Sequence, residues 1–489
     1  MSTRATPDLF EIADSAMERY GFSPVFSDDV IRHVEAIQNE ISIGTTDQAT
    51  DLRHLLWCSI DNHDSKDLDQ IQYCEETGNG EIRVLVAIAD VDYYVKKGSP
   101  ADRHAAHQGS SIYTGVVTYP MLPDRLSANI SSLLPKQDKP AITIEYFVLP
   151  DGTTRHGAIC MALVENKAQL VYETIGDWLF GKRDVPEGVQ SIRGLSTQLL
   201  LQNKAAEKLN EHRSRQGVLD LETIEATPVV QDGKVAGLII QEDNPARSII
   251  EEFMIAANRT LVDFLETKKS PTIQRIVRTP KNWEGIVAEA KERKMKLPHK
   301  PDARALARFL LAQKKRDPDT FPDLSLTIVK LIGPGEYIAL APGEDSPGHF
   351  ALAVTDYTHG TAPNRRYVDL IIQRLVKAAI RSDPHPYTPD ELHELADHLS
   401  ASEKAGKKVE RFMRKSAAAL LLQDKIGSVF SGIITGASEK GTYARVIDPP
   451  VEGRIVENEQ GCRIGRKVRV RLLKTDPWKG FIDFAKVQE

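Results

Sequence analysis

The sequence predicts a mixed α+β protein: one large domain, a short helical module ahead of it and a small five-stranded barrel behind it. Three observations carry this reading. Strand patterns dominate residues 61–152, and helical patterns dominate residues 246–423. Five short strands with glycine at the bends fill residues 427–489. A chain of 489 residues has room for one large domain and one or two small ones. At 41% hydrophobic and 27% charged residues, the composition is that of a soluble globular chain. No run approaches the ~18 apolar residues that span a bilayer, and the first residues hold no apolar signal core. Cys58, Cys74, Cys160 and Cys462 show neither paired nor metal-ligand spacing. Together these predict a cytoplasmic protein without membrane association.

The elements follow in order. Within residues 1–50, Leu9, Ile12, Ala13, Ala16 and Met17 repeat at helical spacing, and Ser27-Asp28-Asp29 can cap a second helix carrying Val30, Val34 and Ile37. This short module leaves a helix-turn-helix open. The large domain is expected over residues 51–425. There, Ile71–Glu75 and Ile82–Ala89 flank Gly78-Asn79-Gly80 and predict a hairpin, and Ile142–Val148 is another strand. Residues 155–225 continue with a strand and then helices, and a strand pair around Pro228–Gln241 turns at Asp232-Gly233. Ala246–Leu265 presents Ile249, Ile250, Phe253, Ala257 and Leu261 as a core-facing stripe. Further helices are expected at 284–295, 302–314, 367–379 and 389–423, with 357–366 a loop broken by Gly360 and Pro363.

Strands at 428–434, 441–447, 453–456, 468–473 and 480–484 predict an OB barrel over residues 427–489. Such barrels hold single-stranded nucleic acid by stacking bases on aromatics in a basic groove. Phe430, Tyr443 and Trp478 are candidate platforms; Arg445, Arg466, Lys467, Arg469 and Arg471 are candidate phosphate contacts. The charge of this end suits a footprint for a polyanion, with an ordinary solubilising surface as the alternative. Residues 401–489 hold 18 Lys and Arg against 11 Asp and Glu, a net +7, which leaves −13 for positions 1–400 of a chain whose total is −6.

The chemistry centres on Asp61-Asn-His-Asp-Ser-Lys-Asp-Leu-Asp-Gln70. Asp61, Asp64, Asp67 and Asp69 fall within nine residues, and carboxylates crowded in this way repel unless a cation sits among them. Oxygen ligands without His or Cys suit Mg²⁺ or Mn²⁺. A solvated acidic loop is the alternative. A helix-loop-helix calcium site is excluded, because Lys66 stands where that loop requires glycine.

Five stretches, taken together and in order, resemble the RNase II / RNase R family, whose catalytic module is the RNB domain. They are the acidic stretch; Val86–Val91 with Tyr94-Val95; Ser111-Ile-Tyr113 through Pro120-Met-Leu-Pro123; Ile250-Glu-Glu-Phe-Met-Ile-Ala-Ala-Asn258; and Gly348–Ala353 through Thr361-Ala-Pro-Asn-Arg-Arg-Tyr367. The final barrel is similar to the family's S1 domain. The resemblance implies a 3′→5′ exoribonuclease that hydrolyses single-stranded RNA to nucleoside 5′-monophosphates with Mg²⁺. It implies metal binding by Asp61, Asp67 and Asp69, with Asp64 and Gln70 beside them, and charge stabilisation by Arg365. RNA contacts are implied at Tyr113, Glu251 or Glu252, and Arg366, with Phe430, Tyr443 and Arg469 in the barrel. A monomer is expected. Two departures stand out. Gln70 replaces the family's usual fourth acid, which leaves a catalytically impaired RNA-binding protein as the rival reading, and Ala362 and Asn364 replace the commoner Ser and Ile beside Arg365.

Overall fold

The computed structural model describes residues 8–37, 49–222, 226–231, 234–240, 244–318, 320–438, 441–462 and 465–487. The expected turn at Asp232-Gly233 and parts of the 1–50 module lie outside them.

A seven-stranded sheet supports the large domain. Its strands are β1 (Thr50–Asp51), β2 (Cys58–Asp61), β3 (Gln70–Glu76), β4 (Ile82–Ala89), β7 (Asp138–Val148), β8 (Thr154–Glu165) and β9 (Ala168–Val171), in the order β1-β8-β7-β4-β3-β2-β9. A separate two-stranded hairpin, β5 (Ile112–Tyr113) and β6 (Thr118–Tyr119), lies between β4 and β7 in sequence. The predicted β3–β4 hairpin forms, and its turn places Asn79 (φ 70) and Gly80 (φ 76) in the left-handed region that these two residue types tolerate best. β4 is buried along its length except at Arg83, as its unbroken apolar run requires when both faces of a strand are covered.

The helix Pro245–Thr267 lies on this sheet. Asn244 caps it, accepting from the Ala246 and Arg247 N–H groups (2.8 and 3.2 Å), and Pro245 fixes the first turn. The long helix Pro389–Leu421 starts at a Thr388–Glu391 capping box and at 33 residues runs about 50 Å. Its buried side chains serve three clusters in turn. Leu392, Ala396 and Leu399 join the main core; Val409, Met413 and Ala417 join an N-terminal cluster; Ala418 and Ala419 join the barrel core.

Both N-terminal helices form, α1 at Leu9–Arg19 and α2 at Asp28–Glu35. They do not make a helix-turn-helix. α1 buries Leu9, Ile12, Ala13, Ala16 and Met17 against the long helix and the β5–β6 hairpin, whereas Val30 and Val34 of α2 enter the main core. The two apolar faces thus point to different neighbours.

The sequence patterns missed one unit. The strand pair β10 (Ala226–Gln231) and β11 (Lys234–Ile240) was expected, but β12 (Thr272–Ile276) and β13 (Glu336–Leu340) also pair, antiparallel. Between β12 and β13 sit three helices, Trp283–Glu292, Ala303–Arg316 and Phe321–Ile332, around a core of their own that includes Trp283, Leu306, Phe309 and Phe321. Residues 281–316 carry 11 Lys and Arg against 4 Asp and Glu, a second basic region inside the acidic part of the chain.

The C-terminal strands β14 (Val429–Ser438), β15 (Gly441–Val446), β16 (Glu452–Glu457), β17 (Lys467–Asp476) and β18 (Phe481–Lys486) close into the predicted barrel in the order β14-β15-β16-β18-β17. Gly432 allows the close β14–β15 crossing, since a Cβ there would sit 2.7 Å from the Arg445 carbonyl. Arg445 is not available as a phosphate contact. Its guanidinium pairs with Asp323 of the three-helix unit at 3.0 Å.

Candidate active site

Asp61 ends β2 and Gln70 begins β3, so the acidic stretch is the connection between two neighbouring strands. Leu68 is fully buried and anchors that connection. Its N–H donates to Ser132 Oγ (2.9 Å), and the same hydroxyl donates to the Lys66 carbonyl (2.7 Å). The loop carrying the carboxylates is therefore held by backbone bonds to a buried serine.

The four acids then part company. Asp69 is buried, and its Oδ1 accepts the Asn364 N–H at 2.9 Å while Oδ2 accepts Arg365 Nε at 3.3 Å. Asp67 is half-buried, with Oδ2 3.4 Å from the Tyr113 hydroxyl that donates to it. Asp61 Oδ1 accepts from Gln70 Nε2 at 3.3 Å, and its buried Oδ2 makes no hydrogen bond of good geometry among the described residues, with the Ser59 hydroxyl as its neighbouring donor. Asp64 is exposed and stays on the rim.

Burial raises the pKa of all three inner carboxyls. It pushes Asp61 up to about 6 and Asp69 up to about 7, with the Asp67 charge adding to both. Asp67 is raised as well, with burial as the leading cause and Arg365 opposing it. Three carboxyls raised by burial and a buried oxygen that makes no hydrogen bond are what a cation would relieve. Among the described residues no three His, Cys, Asp or Glu groups close on one point as a carboxylate cage would. Mg²⁺ does not need one. It keeps several waters and takes one or two carboxylates together with substrate phosphate oxygens. Asp61 and Asp67 fit that demand, with Asp69 behind them.

The loop 362–366 supplies the other wall. The Ala362 N–H donates to Asp369 Oδ1 (2.7 Å), and the Ser131 hydroxyl donates to Asn364 Oδ1 (2.6 Å). Arg365 remains 45% exposed at its side chain, so its guanidinium can meet a phosphate while touching Asp69. Arg366 is turned inward, its Nη2 on Asp369 at 2.8 Å, so the expected RNA contact there does not match its placement. Glu252 needs the same correction. Its side chain is buried and takes bonds from Arg213 (2.8 Å) and Asn210 (3.0 Å), whereas its neighbour Glu251 is exposed.

Tyr113 stands 45% exposed between two cavities, of about 790 and 610 Å³, which share Asn62, Asp64 and Thr118 as lining. The second cavity also reaches Glu410 and Arg414 of the long helix, and Glu410 Oε1 lies 3.4 Å from the Tyr113 N–H that donates to it. Glu410 escaped the sequence reading because only the fold brings position 410 to position 113. Tyr172 and Arg247 escaped it too. The Arg247 guanidinium sits 4.4 Å over the Tyr172 ring and donates to Asn62 Oδ1 at 3.2 Å, beside the acidic loop.

In the barrel, Phe430 packs against the core rather than standing free, and Tyr443 is half-buried. Trp478 and Phe481 are the exposed aromatics, at 44% and 57%, and Arg469 is exposed.

Gln70 sits where a fourth charge would matter most. We expect Gln70→Asp to lower the Mg²⁺ concentration at half-maximal rate, because a carboxylate beside Asp61 draws a cation more strongly. An unchanged or raised requirement in a Mg²⁺ titration would show that Gln70 is already compensated.

Comparison with known proteins agrees with this arrangement. A model of the RNB domain matches residues 49–382, and one of the RNase II-type exonuclease C-terminal S1 domain matches residues 428–487. Ribonuclease R of Aquifex aeolicus (strain VF5) is 29% identical over 518 residues, covering 99% of this chain and 71% of that protein. The structure of Mycoplasma genitalium RNase R in complex with ribose-methylated single-stranded RNA superposes with a TM-score of 0.88 at 23% identity, over 98% of this chain and 78% of that one. Yeast Ssd1, a pseudonuclease, shares the fold at a TM-score of 0.73 and 15% identity, over 95% of this chain and 58% of that one. With more than half its length matched by the RNB domain and its barrel by the S1 domain, the chain belongs to the RNB family of exoribonucleases.

Proposed function

We propose that this exoribonuclease hydrolyses single-stranded RNA from the 3′ end, depends on Mg²⁺ with Mn²⁺ as a substitute, and releases nucleoside 5′-monophosphates. The observation that carries the reading is the inner carboxyl group of three. Asp61, Asp67 and Asp69 are all pushed up by burial, Asp61 Oδ2 makes no hydrogen bond of good geometry among the described residues, and the exposed Arg365 guanidinium adjoins Asp69. Asp61 and Asp67 would hold Mg²⁺, which would supply an activated water and neutralise charge at the phosphate. Asp69 aligns the loop 362–366 through the Asn364 N–H and Arg365 Nε, and Arg365 meets the phosphate oxygens on which charge develops. Tyr113 offers its ring to the terminal base, with Glu410 beside it for the sugar.

The rival reading, an RNA-binding protein impaired at Gln70, has the yeast pseudonuclease in its favour, since that protein keeps the fold. Against it, the three inner carboxyls and Arg365 are all in place. Incubating 5′-labelled and 3′-labelled single-stranded RNA with and without Mg²⁺ separates the two. Mononucleotides released from the 3′ end only with the ion support the proposal; binding without products favours the rival.

We also propose a monomer in a reducing cytoplasm, where its four free cysteines would persist. Among the described residues no helix is long and apolar enough to cross a membrane.

The barrel is expected to hold RNA through Trp478 and Phe481. Removing it at residue 427 is a poor test, because the helix residues Ala418 and Ala419 and the adjoining Leu422 belong to its core. The double substitution Trp478→Ala and Phe481→Ala is cleaner. Stacking is worth ~1–3 kcal/mol per base, so affinity for a long RNA should fall at least about fivefold while cleavage of a short oligomer is unchanged. Equal affinity of variant and parent in a filter-binding assay would remove these two aromatics from the RNA path.

A further inference from the structure

The N-terminal module is fastened to one segment of the catalytic domain, residues 108–125, and that segment carries Tyr113. Ser23 donates its N–H to the Gln108 side chain and accepts from it through its carbonyl, at 3.2 and 2.7 Å. Arg125 donates to the Val34 and Ile37 carbonyls at the end of α2, at 3.2 and 3.0 Å. Between these two ties, the Tyr119 hydroxyl donates to Asp14 Oδ1 of α1 at 2.6 Å.

The middle tie bears on the hairpin. Ile112 pairs with Tyr119 and Tyr113 with Thr118 across β5–β6. Side chains alternate along a strand, so Ile112 and Tyr119 bury themselves against α1 and the long helix while Tyr113 and Thr118 face the cavities. Two paired residues per strand are too few to hold a hairpin in water. Its fixation comes from what it rests on, which is Ile12, Met17 and Phe22 of the module with Val409 and Met413. The same segment reaches the phosphate wall. Ser111 N–H donates to the Arg365 carbonyl (2.9 Å), and Tyr367 N–H donates to the Gly109 carbonyl (2.9 Å).

We propose that the N-terminal module is a structural half of the substrate clamp, and that Asp14 and Tyr119 are positioning residues that set the Tyr113 ring for the 3′-terminal nucleotide. This rests on the reading of Tyr113 as the base platform. Neither residue touches substrate; both act through the hairpin. A two-point pairing with its hydroxyl tie removed samples other orientations, and binding of a short RNA loses the benefit of a preset ring.

The test measures KM and kcat on a five-nucleotide RNA for Tyr119→Phe and Asp14→Ala alone and each in a Tyr113→Ala background. One net hydrogen bond supplies about three- to tenfold in KM, with kcat unchanged. Asp14→Asn keeps an acceptor oxygen for the Tyr119 hydroxyl and should behave as the parent. Thermal melts of all variants accompany the kinetics, and Asp14 is exposed, so Asp14→Ala leaves the fold standing. The proposal holds if Tyr113→Ala raises KM and the two substitutions raise it only when Tyr113 is present. It is overturned if they raise KM equally without Tyr113, or not at all while Tyr113→Ala does. If Tyr113→Ala itself leaves KM unchanged, the platform reading fails and takes the positioning role with it.

Discussion

Replacing Asp69 with asparagine is expected to lower turnover on single-stranded RNA by about 10²–10³-fold at saturating Mg²⁺, with RNA binding retained or tightened. Asparagine is isosteric with aspartate and keeps an oxygen for the Asn364 N–H, so the loop 362–366 need not move. What it loses is the charge that faces Arg365 Nε at 3.3 Å and the Mg²⁺ ion we propose beside it. The guanidinium would then lack the carboxylate that orients it, and the amide presents N–H groups where an acceptor is needed. RNA itself is a polyanion, and deleting a negative charge beside the scissile phosphate removes a repulsion. Single-turnover kinetics with a separate binding isotherm distinguish the two effects. A variant that keeps more than about a tenth of parental turnover would remove Asp69 from the chemistry.

The second large effect is a pH dependence of metal binding. Asp61 and Asp69 hold protons up to about 6 and about 7, above the 3.8 of the unfolded chain. In the metal-free protein each therefore contributes stability that is present when protonated and is lost as pH rises from about 4 through its folded pKa. His104, His349 and His359 act in the opposite sense, because burial depresses their pKa and keeps them neutral where the unfolded chain binds protons below about 6.5. The raw melting temperature mixes the two. The Mg²⁺-induced increment does not, since the ion competes with protons only at the carboxyls. Mg²⁺ affinity should rise about tenfold per pH unit for each proton displaced between pH 5 and 7, then level off. Titration calorimetry at pH 5, 6, 7 and 8 measures it. Affinity independent of pH over that range would mean that the buried carboxyls are not the ligands.

The sheet and the barrel were legible because their strands alternate or run apolar between glycine turns, a period that burial enforces. Ile82–Ala89 and the five barrel strands are cases where sequence and structure coincide to within a few residues. β12 and β13 were not legible. Each is five residues long, and they meet across a three-helix insert, so the pairing that makes them strands is invisible locally. Glu251 and Glu252 are adjacent, yet only the second is buried, because Arg213, 39 residues earlier in the chain, covers it. Phe430 and Phe481 show the same limit in the barrel, where inward or outward direction follows from a register that alternation leaves ambiguous. At the site, the crowding of Asp61, Asp67 and Asp69 was legible from spacing, while Arg365 and the role of each acid came from motif resemblance. The backbone N–H of Asn364 and the carboxylate of Glu410 could not, the first carrying no side-chain signature and the second lying on a helix whose face only packing decides.

The cluster joining α1 to Val409, Met413 and Ala417 has a bearing on biosynthesis. The two sides of that contact lie about 400 residues apart, and a ribosome adding about 5–20 residues per second needs roughly 20–80 s to cover that distance. For most of this interval the nascent chain has its acidic loop, its N-terminal helix and its hairpin, but neither the arginine wall nor the long-helix side of that cluster. The hairpin between them is completed only when the last long helix has left the exit tunnel. A chain assembled in this order gains the full support of its Tyr113 hairpin only when its translation is almost finished.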